Sequence, residues 1–366
     1  MSARVPFLNL RLAEDAAAVQ AAIQRVIERG WFVLGPELSA FEDEFAAAAG
    51  AKFSVGVGTG TDAIALLLRA LGVGPGDEVI TAPVSAAYSA LAIQMTGATP
   101  VFADLDDARM TLDPRAAETA ITPRTKAILP VHLYGQPADL PALAALCERR
   151  HLLLVEDACQ AHLATSAGKP VGSFGAGAAY SFYPTKNLGA LGDGGAITTN
   201  DAALAGRLKR LRNGGQVDRY LHEEFGVNSR LDEMQAAILR ARLPFLGAWT
   251  ARRRALAARY RAALGTVSAS GVVVPPECDP GHVYHLFPLR SANRDAVRAA
   301  LAARGIETLI HYPIALPNQP VFAPLGSAAC PNGVRLAGEV FSVPLHPQLA
   351  DSDIDVVVAQ IEALSL

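Results

Sequence analysis

Lysine is scarce in this chain. Five occur in 366 residues, Lys52, Lys126, Lys169, Lys186 and Lys209, while arginine supplies the other 27 of the 32 basic residues. Solvated surfaces use lysine freely, so a lysine in an apolar setting needs a reason. The four cysteines, Cys147, Cys159, Cys278 and Cys330, lie far apart and form no metal-ligand cluster. Such spacing fits reduced thiols in a cytoplasmic protein. None of the eight histidines forms an HxxxH pair, which excludes the common zinc motifs. No run of about 20 apolar residues is present, so no membrane span is expected. The opening Met1-Ser2-Ala3-Arg4-Val5-Pro6 has no apolar signal core. A net charge of −3 argues against a nucleic-acid partner or a polybasic membrane surface.

What is present suffices for a sizeable core, with 51% hydrophobic and 18% charged residues. The length suggests about two domains at roughly 150 residues each. Short apolar runs predict strands at 54–57, 78–81, 99–103, 126–131 and 152–155. Helical patterns fall between them, at 62–70, 86–96, 113–120 and 140–149. Alternation of this kind implies a mostly parallel sheet covered on both faces. Two further strands, 179–182 and 196–199, bring the total to about seven. Helices are predicted at 13–29, 37–49, 202–212 and 245–263, and another runs from an N-capping Ser229 to Arg242. The helix at 245–263 connects to a smaller α/β unit. That unit has strands at 282–290 and 308–311, a helix at 295–304, a loop with five prolines between 313 and 332, and a final helix at 352–364. The expected division is a large domain over 1–243 and a small one over 244–366.

Three local features carry chemistry. In Gly58-Thr59-Gly60-Thr61-Asp62-Ala63 a strand turns into a helix, and a helix N-terminus offers free N–H groups to an anion such as phosphate. It is also an ordinary strand-to-helix turn with Asp62 as a cap. The run Leu152-Leu153-Leu154-Val155-Glu156-Asp157 places an acid at the carboxyl end of a buried strand, where ligands bind in open α/β sheets. A protonated ring nitrogen or one of the many arginines would pair with it. Finally, Ser181-Phe182-Tyr183-Pro184-Thr185-Lys186-Asn187-Leu188-Gly189 sets one scarce lysine between an apolar strand and a Gly-rich segment. That is the setting of a Schiff-base lysine, or of a surface lysine at a strand end. Together they match the needs of pyridoxal phosphate: a lysine for the aldehyde, an acid for the ring nitrogen and a helix terminus for the phosphate.

The chain resembles the DegT/DnrJ/EryC1/StrS family of nucleotide-sugar aminotransferases, which are fold-type I pyridoxal-phosphate enzymes. The likeness runs through Gly35-Pro36-Glu37, Gly97-Ala98-Thr99-Pro100-Val101, His132-Leu133-Tyr134-Gly135-Gln136, Glu156-Asp157-Ala158-Cys159-Gln160-Ala161-His162, the Lys186 segment, Gly226-Val227-Asn228-Ser229-Arg230 and His311-Tyr312-Pro313. It implies the aspartate-aminotransferase-like fold and a role for each matching residue. Lys186 is the Schiff-base lysine and proton carrier, Asp157 the ring-nitrogen acid and Gln160 the partner of the ring phenolic oxygen. Gly60, Thr61, Asp62 and Ser181 hold the phosphate. Asn228 reaches it from the neighbouring subunit of a homodimer. Tyr183, Arg230 and His311 are expected at the substrate. The cofactor is expected to cycle between pyridoxal 5′-phosphate and pyridoxamine 5′-phosphate, with L-glutamate as donor.

Some positions depart from the family pattern. Ala86 stands where an aromatic usually stacks on the cofactor ring, and Tyr88, two residues on, is the candidate in its place. Cys159 replaces a common alanine. The stretches 132–139, 183–184 and 189–196 look closest to enzymes that aminate C3 of dTDP-linked 3-keto-6-deoxyhexoses. The alternatives are C4 amination of a UDP-, GDP- or dTDP-linked 4-keto sugar and a non-catalytic regulatory protein on the same fold.

Overall fold

The computed structural model describes residues 5–267, 270–326 and 329–364, so Met1–Arg4 lie outside it. Seven strands form the main sheet: β1 (Phe53–Val57), β2 (Glu78–Thr81), β3 (Thr99–Phe102), β4 (Thr125–Leu129), β5 (Leu153–Asp157), β8 (Gly177–Ser181) and β9 (Gly195–Thr199). Two-residue strands β6 (Thr165–Ser166) and β7 (Lys169–Pro170) make a small separate ladder between β5 and β8. The order across the main sheet is β1-β9-β8-β5-β4-β2-β3. All pairings are parallel except those of β9, which runs against both β1 and β8. The α/β sheet is thus mostly parallel, as the alternating pattern predicted.

Strand side chains alternate between two apolar layers, because successive residues point to opposite faces. Ile80, Ile128, Leu154, Ala178, Tyr180 and Ala196 pack into one cluster, built around Phe41, Phe45 and Phe182. Their neighbours Val79, Ala127, Leu129, Val155, Ala179 and Ile197 pack into the other, with Ile64, Leu67 and Leu68 of helix α3. A third cluster forms around Leu256, Tyr260, Phe287, Phe341, Val357 and Ile361, and Val5 from the N-terminal segment inserts into it.

The helices are α1 (Ala16–Arg29), α2 (Pro36–Ala48), α3 (Gly60–Ala70), α4 (Tyr88–Met95), α5 (Pro114–Thr119), α6 (Leu140–Arg150), α7 (Ala202–Leu211), α8 (Glu233–Arg242), α9 (Leu246–Leu264), α10 (Arg294–Ala303), α11 (Pro331–Glu339) and α12 (Asp351–Glu362). Side chains cap several of them: Thr59 accepts from the N–H of Asp62, Asp139 from Ala142, and Asp201 from Ala203 and Leu204. A short hairpin, β10 (Gln216–Asp218) with β11 (Leu221–His222), precedes α8. Antiparallel β12 (Phe287–Arg290) and β13 (Val340–Val343) complete the strands. None of the described helices is long and apolar enough to cross a membrane.

Some expectations need correction. Ser229 does not cap α8, which begins after Asp232. Its hydroxyl instead donates to Asp62 Oδ2 at 2.7 Å and accepts from Gly58 N–H at 2.9 Å. The strand expected at 308–311 is a single bridge, Leu309 to Ser342. The strand expected at 282–290 is ordered only from Phe287, because Tyr284 at φ 46° breaks the extended run. The proline-rich loop contains two 3-10 turns, Leu316–Asn318 and Pro320–Leu325, then runs into α11 and β13, which the sequence pattern missed.

Candidate active site

The carboxyl ends of β5 and β8 open into a cavity of about 640 Å³, the usual ligand position in an open α/β sheet. Gly60, Thr61, Tyr88, Asp157, Gln160, Ser181, Tyr183, Lys186 and His311 all line it. Nine of the twelve residues singled out from the sequence therefore meet in one place. Three do not line it. Asp62 turns its carboxylate to the Ser229 hydroxyl. Asn228 is exposed, and Arg230 donates to Asn213 Oδ1 at 3.1 Å.

Asp157 is the last residue of β5 and only 4% exposed. One carboxylate oxygen accepts from the Ser89 hydroxyl at 2.6 Å and the other from the N–H of Cys159 at 3.1 Å. A buried carboxylate is costly without such donors. The preceding Glu156 faces the other way and is fully buried. It accepts from the N–H groups of Gly172, Phe174 and Gly175, and its Oε2 lies 3.3 Å from His132 Nε2. His132 Nδ1 accepts from Ala138 N–H, which makes Nε2 the protonated nitrogen. That network fixes the end of β5 and with it Asp157.

Lys186 sits in the turn after β8, and its backbone N–H donates to Tyr183 O at 2.8 Å. Burial pulls its amine pKa below the ordinary lysine value, while Cys159 and Asp157 push it back up. A neutral amine is thus more accessible here than at a solvated lysine. His285 and His311, which line the same cavity, are both pulled down, first by burial and then by the Lys186 charge, His311 to about 4. They enter the site as neutral imidazoles.

At the start of α3, the N–H of Asp62 goes to Thr59 Oγ1 and that of Ala63 to Thr59 O. Gly60 and Thr61, the first two helical residues, present their N–H groups at the cavity wall. A Cβ on Gly60 would stand 2.7 Å from Ser181 Cβ and 2.9 Å from Cys159 Sγ, so only glycine fits. Ser181 Oγ accepts from Tyr183 N–H at 3.3 Å, which leaves its own proton to donate. This is a cradle for a multi-oxygen anion, and the residues present fit the phosphate of pyridoxal phosphate. Gln160 is held by Tyr134, whose N–H donates to its Oε1 at 2.7 Å, and its Nε2 donates to the Tyr312 hydroxyl at 3.1 Å.

Sequence reasoning missed Ser89, His285 and Tyr312. Ser89 lies on the buried side of α4 in its first turn, where a polar residue signals a specific partner. Tyr312 follows His311 directly, and its hydroxyl pKa is raised to about 12 by burial. Ala86 and Tyr88 both line the cavity, Tyr88 at its exposed rim.

The family model of the DegT/DnrJ/EryC1/StrS aminotransferases matches residues 13–362. A dTDP-3-amino-3,4,6-trideoxy-alpha-D-glucose transaminase of Streptomyces venezuelae is 50% identical over 353 residues, covering 94% of this chain and 92% of that protein. The erythromycin biosynthesis sensory transduction protein EryC1 of Saccharopolyspora erythraea is 48% identical, over 98% of this chain and 99% of that one. Among solved structures, S. venezuelae DesV in complex with a ketimine intermediate superposes with a TM-score of 0.94 at 48% identity, covering 99% and 98% of the two chains.

Proposed function

The chain belongs to the DegT/DnrJ/EryC1/StrS aminotransferase family, and on that premise we propose that it transfers an amino group from L-glutamate to C3 of a dTDP-linked 3-keto-6-deoxyhexose. The proposed cofactor is pyridoxal 5′-phosphate, and the proposed working unit is a homodimer. When bound, pyridoxal phosphate supplies an aldehyde for the travelling amine and a conjugated ring that takes up electrons as a C–H bond breaks.

The observation that carries this reading is the convergence of Lys186, Asp157 and the α3 N-terminus on one cavity. Lys186 Nζ takes the proton from the reacting carbon and returns it at the next, a task that needs an amine neutral at moderate pH. Asp157, held in place by the Ser89 hydroxyl and the Cys159 N–H, would face the ring nitrogen and pair with its proton. The N–H groups of Gly60 and Thr61 and the Ser181 hydroxyl would bind the phosphate. Gln160, fixed by Tyr134, would face the ring oxygen. Tyr183 and His311 would orient the sugar.

Several features support a shared dimer site. Among the described residues no arginine lines the cavity, although a dTDP-linked substrate carries a diphosphate. The β10–β11 hairpin and the loop after it carry Tyr220 at 81% and Phe225 at 93% exposure, uncovered by their own chain. Asn228 follows directly and would serve a neighbour. The same reading divides the chain into a large unit, 1–243, and a small one, 244–366, supported by the separate core around Tyr260. The name of EryC1 describes a sensory transduction protein, but Lys186, Asp157 and the Gly60 cradle favour catalysis here.

The test is reduction with borohydride in the presence of pyridoxal phosphate, followed by peptide mass mapping. A hydride-stable adduct on Lys186 is expected. A protein that takes up no pyridoxal phosphate, or an adduct on another lysine, contradicts the assignment.

A further inference from the structure

The segment leading into β12 passes beside the lysine turn. Its backbone is tied down on both sides of His285. Val283 N–H donates to Gly135 O at 3.0 Å and Leu286 N–H to Tyr134 O at 3.3 Å. The two backbones approach so closely that a Cβ on Gly135 would stand 2.9 Å from His285 N. His285 therefore reaches the cavity wall at a set position. It is only 6% exposed, whereas Tyr88 and Tyr183 on the same wall are open to solvent.

Its ring has one protonation pattern. Asn187, the residue after Lys186, donates through Nδ2 to Val283 O at 3.1 Å. Its Oδ1 then lies 3.2 Å from His285 Nδ1, and an amide oxygen only accepts. Nδ1 thus carries the proton. Burial keeps the ring neutral, so Nε2 holds a lone pair. Nε2 has no hydrogen-bond partner among the described residues, yet it is not enclosed as the unpartnered ring nitrogens of His162 and His346 are. It opens on the cavity that His285 lines. Lys186 Nζ is likewise unpartnered among the described residues, not enclosed, and on the same cavity. Its charge is the one that acts most strongly on His285.

A neutral amine has two N–H groups and one lone pair. It takes a proton only when the lone pair faces the reacting carbon, and an acceptor that holds one N–H sets that orientation. A carboxylate acceptor would also favour the ammonium form, which cannot take a proton. A neutral imidazole holds the N–H without adding a negative charge. We propose that His285 is a positioning residue for Lys186: its Nε2 accepts one amine N–H and turns the Nζ lone pair toward the reacting carbon. This rests on the assignment of Lys186 as the proton carrier.

Two amide variants separate the two ends of the ring. His285→Asn keeps a donor for Asn187 and has nothing at the Nε2 position. His285→Gln reaches that position with its amide oxygen and gives up the bond to Asn187. The experiment follows the cofactor's absorbance as the holoenzyme reacts with L-glutamate and with glutamate deuterated at Cα. His285→Asn should react about three- to tenfold more slowly, the effect of one hydrogen bond. Its glutamate affinity should be unchanged and its deuterium effect larger. His285→Gln should retain most of the wild-type rate. An Asn variant that matches the wild type, the opposite order of the two variants, or a loss confined to glutamate affinity overturns the proposal. Should His285→Asn fail to fold, His285→Phe takes its place with the same expected loss. Independently of activity, NMR of the holoenzyme with nitrogen-labelled histidine, assigned by the signal lost in His285→Gln, should show a neutral ring protonated at Nδ1. A ring protonated at Nε2 overturns the proposal. The functional reading fails separately, when the wild type forms no borohydride adduct at Lys186.

Discussion

At the scale of single residues, the site depends on what holds each functional group as much as on the group itself. Ser89 is the clearest case, because its hydroxyl donates to Asp157 Oδ2 at 2.6 Å. A hydrogen bond to a charged group contributes about 1.5–3 kcal/mol. Ser89→Ala is therefore expected to weaken pyridoxal phosphate binding by about tenfold or more, read from the cofactor's absorbance in a titration. Unchanged affinity would show that Asp157 needs no such support. Lys186→Ala should lower turnover by at least about 10²–10⁴-fold, the range of a general base. The pH profile follows from the direction of its pKa. Only the neutral amine accepts a proton, and burial pulls the pKa below 10.5. The rate should rise with pH and level off below that value. Lys186 and Asp157 were legible in the sequence because scarce, charged residues at strand ends are conspicuous. Ser89 was not, since a serine in an Ala-rich helix looks like any other until its partner 68 residues away is in place.

At the scale of elements, single buried side chains set how helices dock beside the site. Glu233, fully buried in the first turn of α8, accepts from the N–H groups of Gly35, Glu37 and Leu38 at the start of α2. One carboxylate thus closes the N-terminus of a second helix, where a negative charge is favoured. Glu233→Gln places an amide against N–H donors and should cost about 3 kcal/mol, from charge-assisted bonds lost at roughly 1.5–3 kcal/mol each. Denaturant unfolding measures it, and a loss below about 1 kcal/mol would mean that water replaces the carboxylate. The sequence showed α2 and α8 separately through their periodicity. It could not show that Glu233 caps α2, because the contact spans almost 200 residues. The same limit explains Ser229, a plausible cap by position that tertiary structure claims for Asp62. The strands of the main sheet were legible because burial on both faces leaves uninterrupted apolar runs. β13 was not, because it follows a helix without a turn between them.

At the scale of the whole molecule, the two sheet faces and the third cluster bury several histidines in neutral form. Burial pulls His162 and His282 to about 3 and His346 to about 4, against an unperturbed value of 6.5. As pH falls below 6.5 the unfolded chain takes up protons that the folded protein refuses. Stability therefore declines between about 6.5 and the folded values, by about 1.4 kcal/mol per pH unit for each such histidine. A Tm series from pH 7 to pH 4 should fall steadily, and a flat series would show that these rings find partners. The fold, the family and the site all point to one activity. The most direct test offers dTDP-, UDP- and GDP-linked amino sugars to the purified enzyme with 2-oxoglutarate and measures glutamate formed in reverse. The account predicts that dTDP-linked 3-amino-6-deoxy sugars turn over fastest. A clear preference for a 4-amino UDP-linked sugar would contradict it.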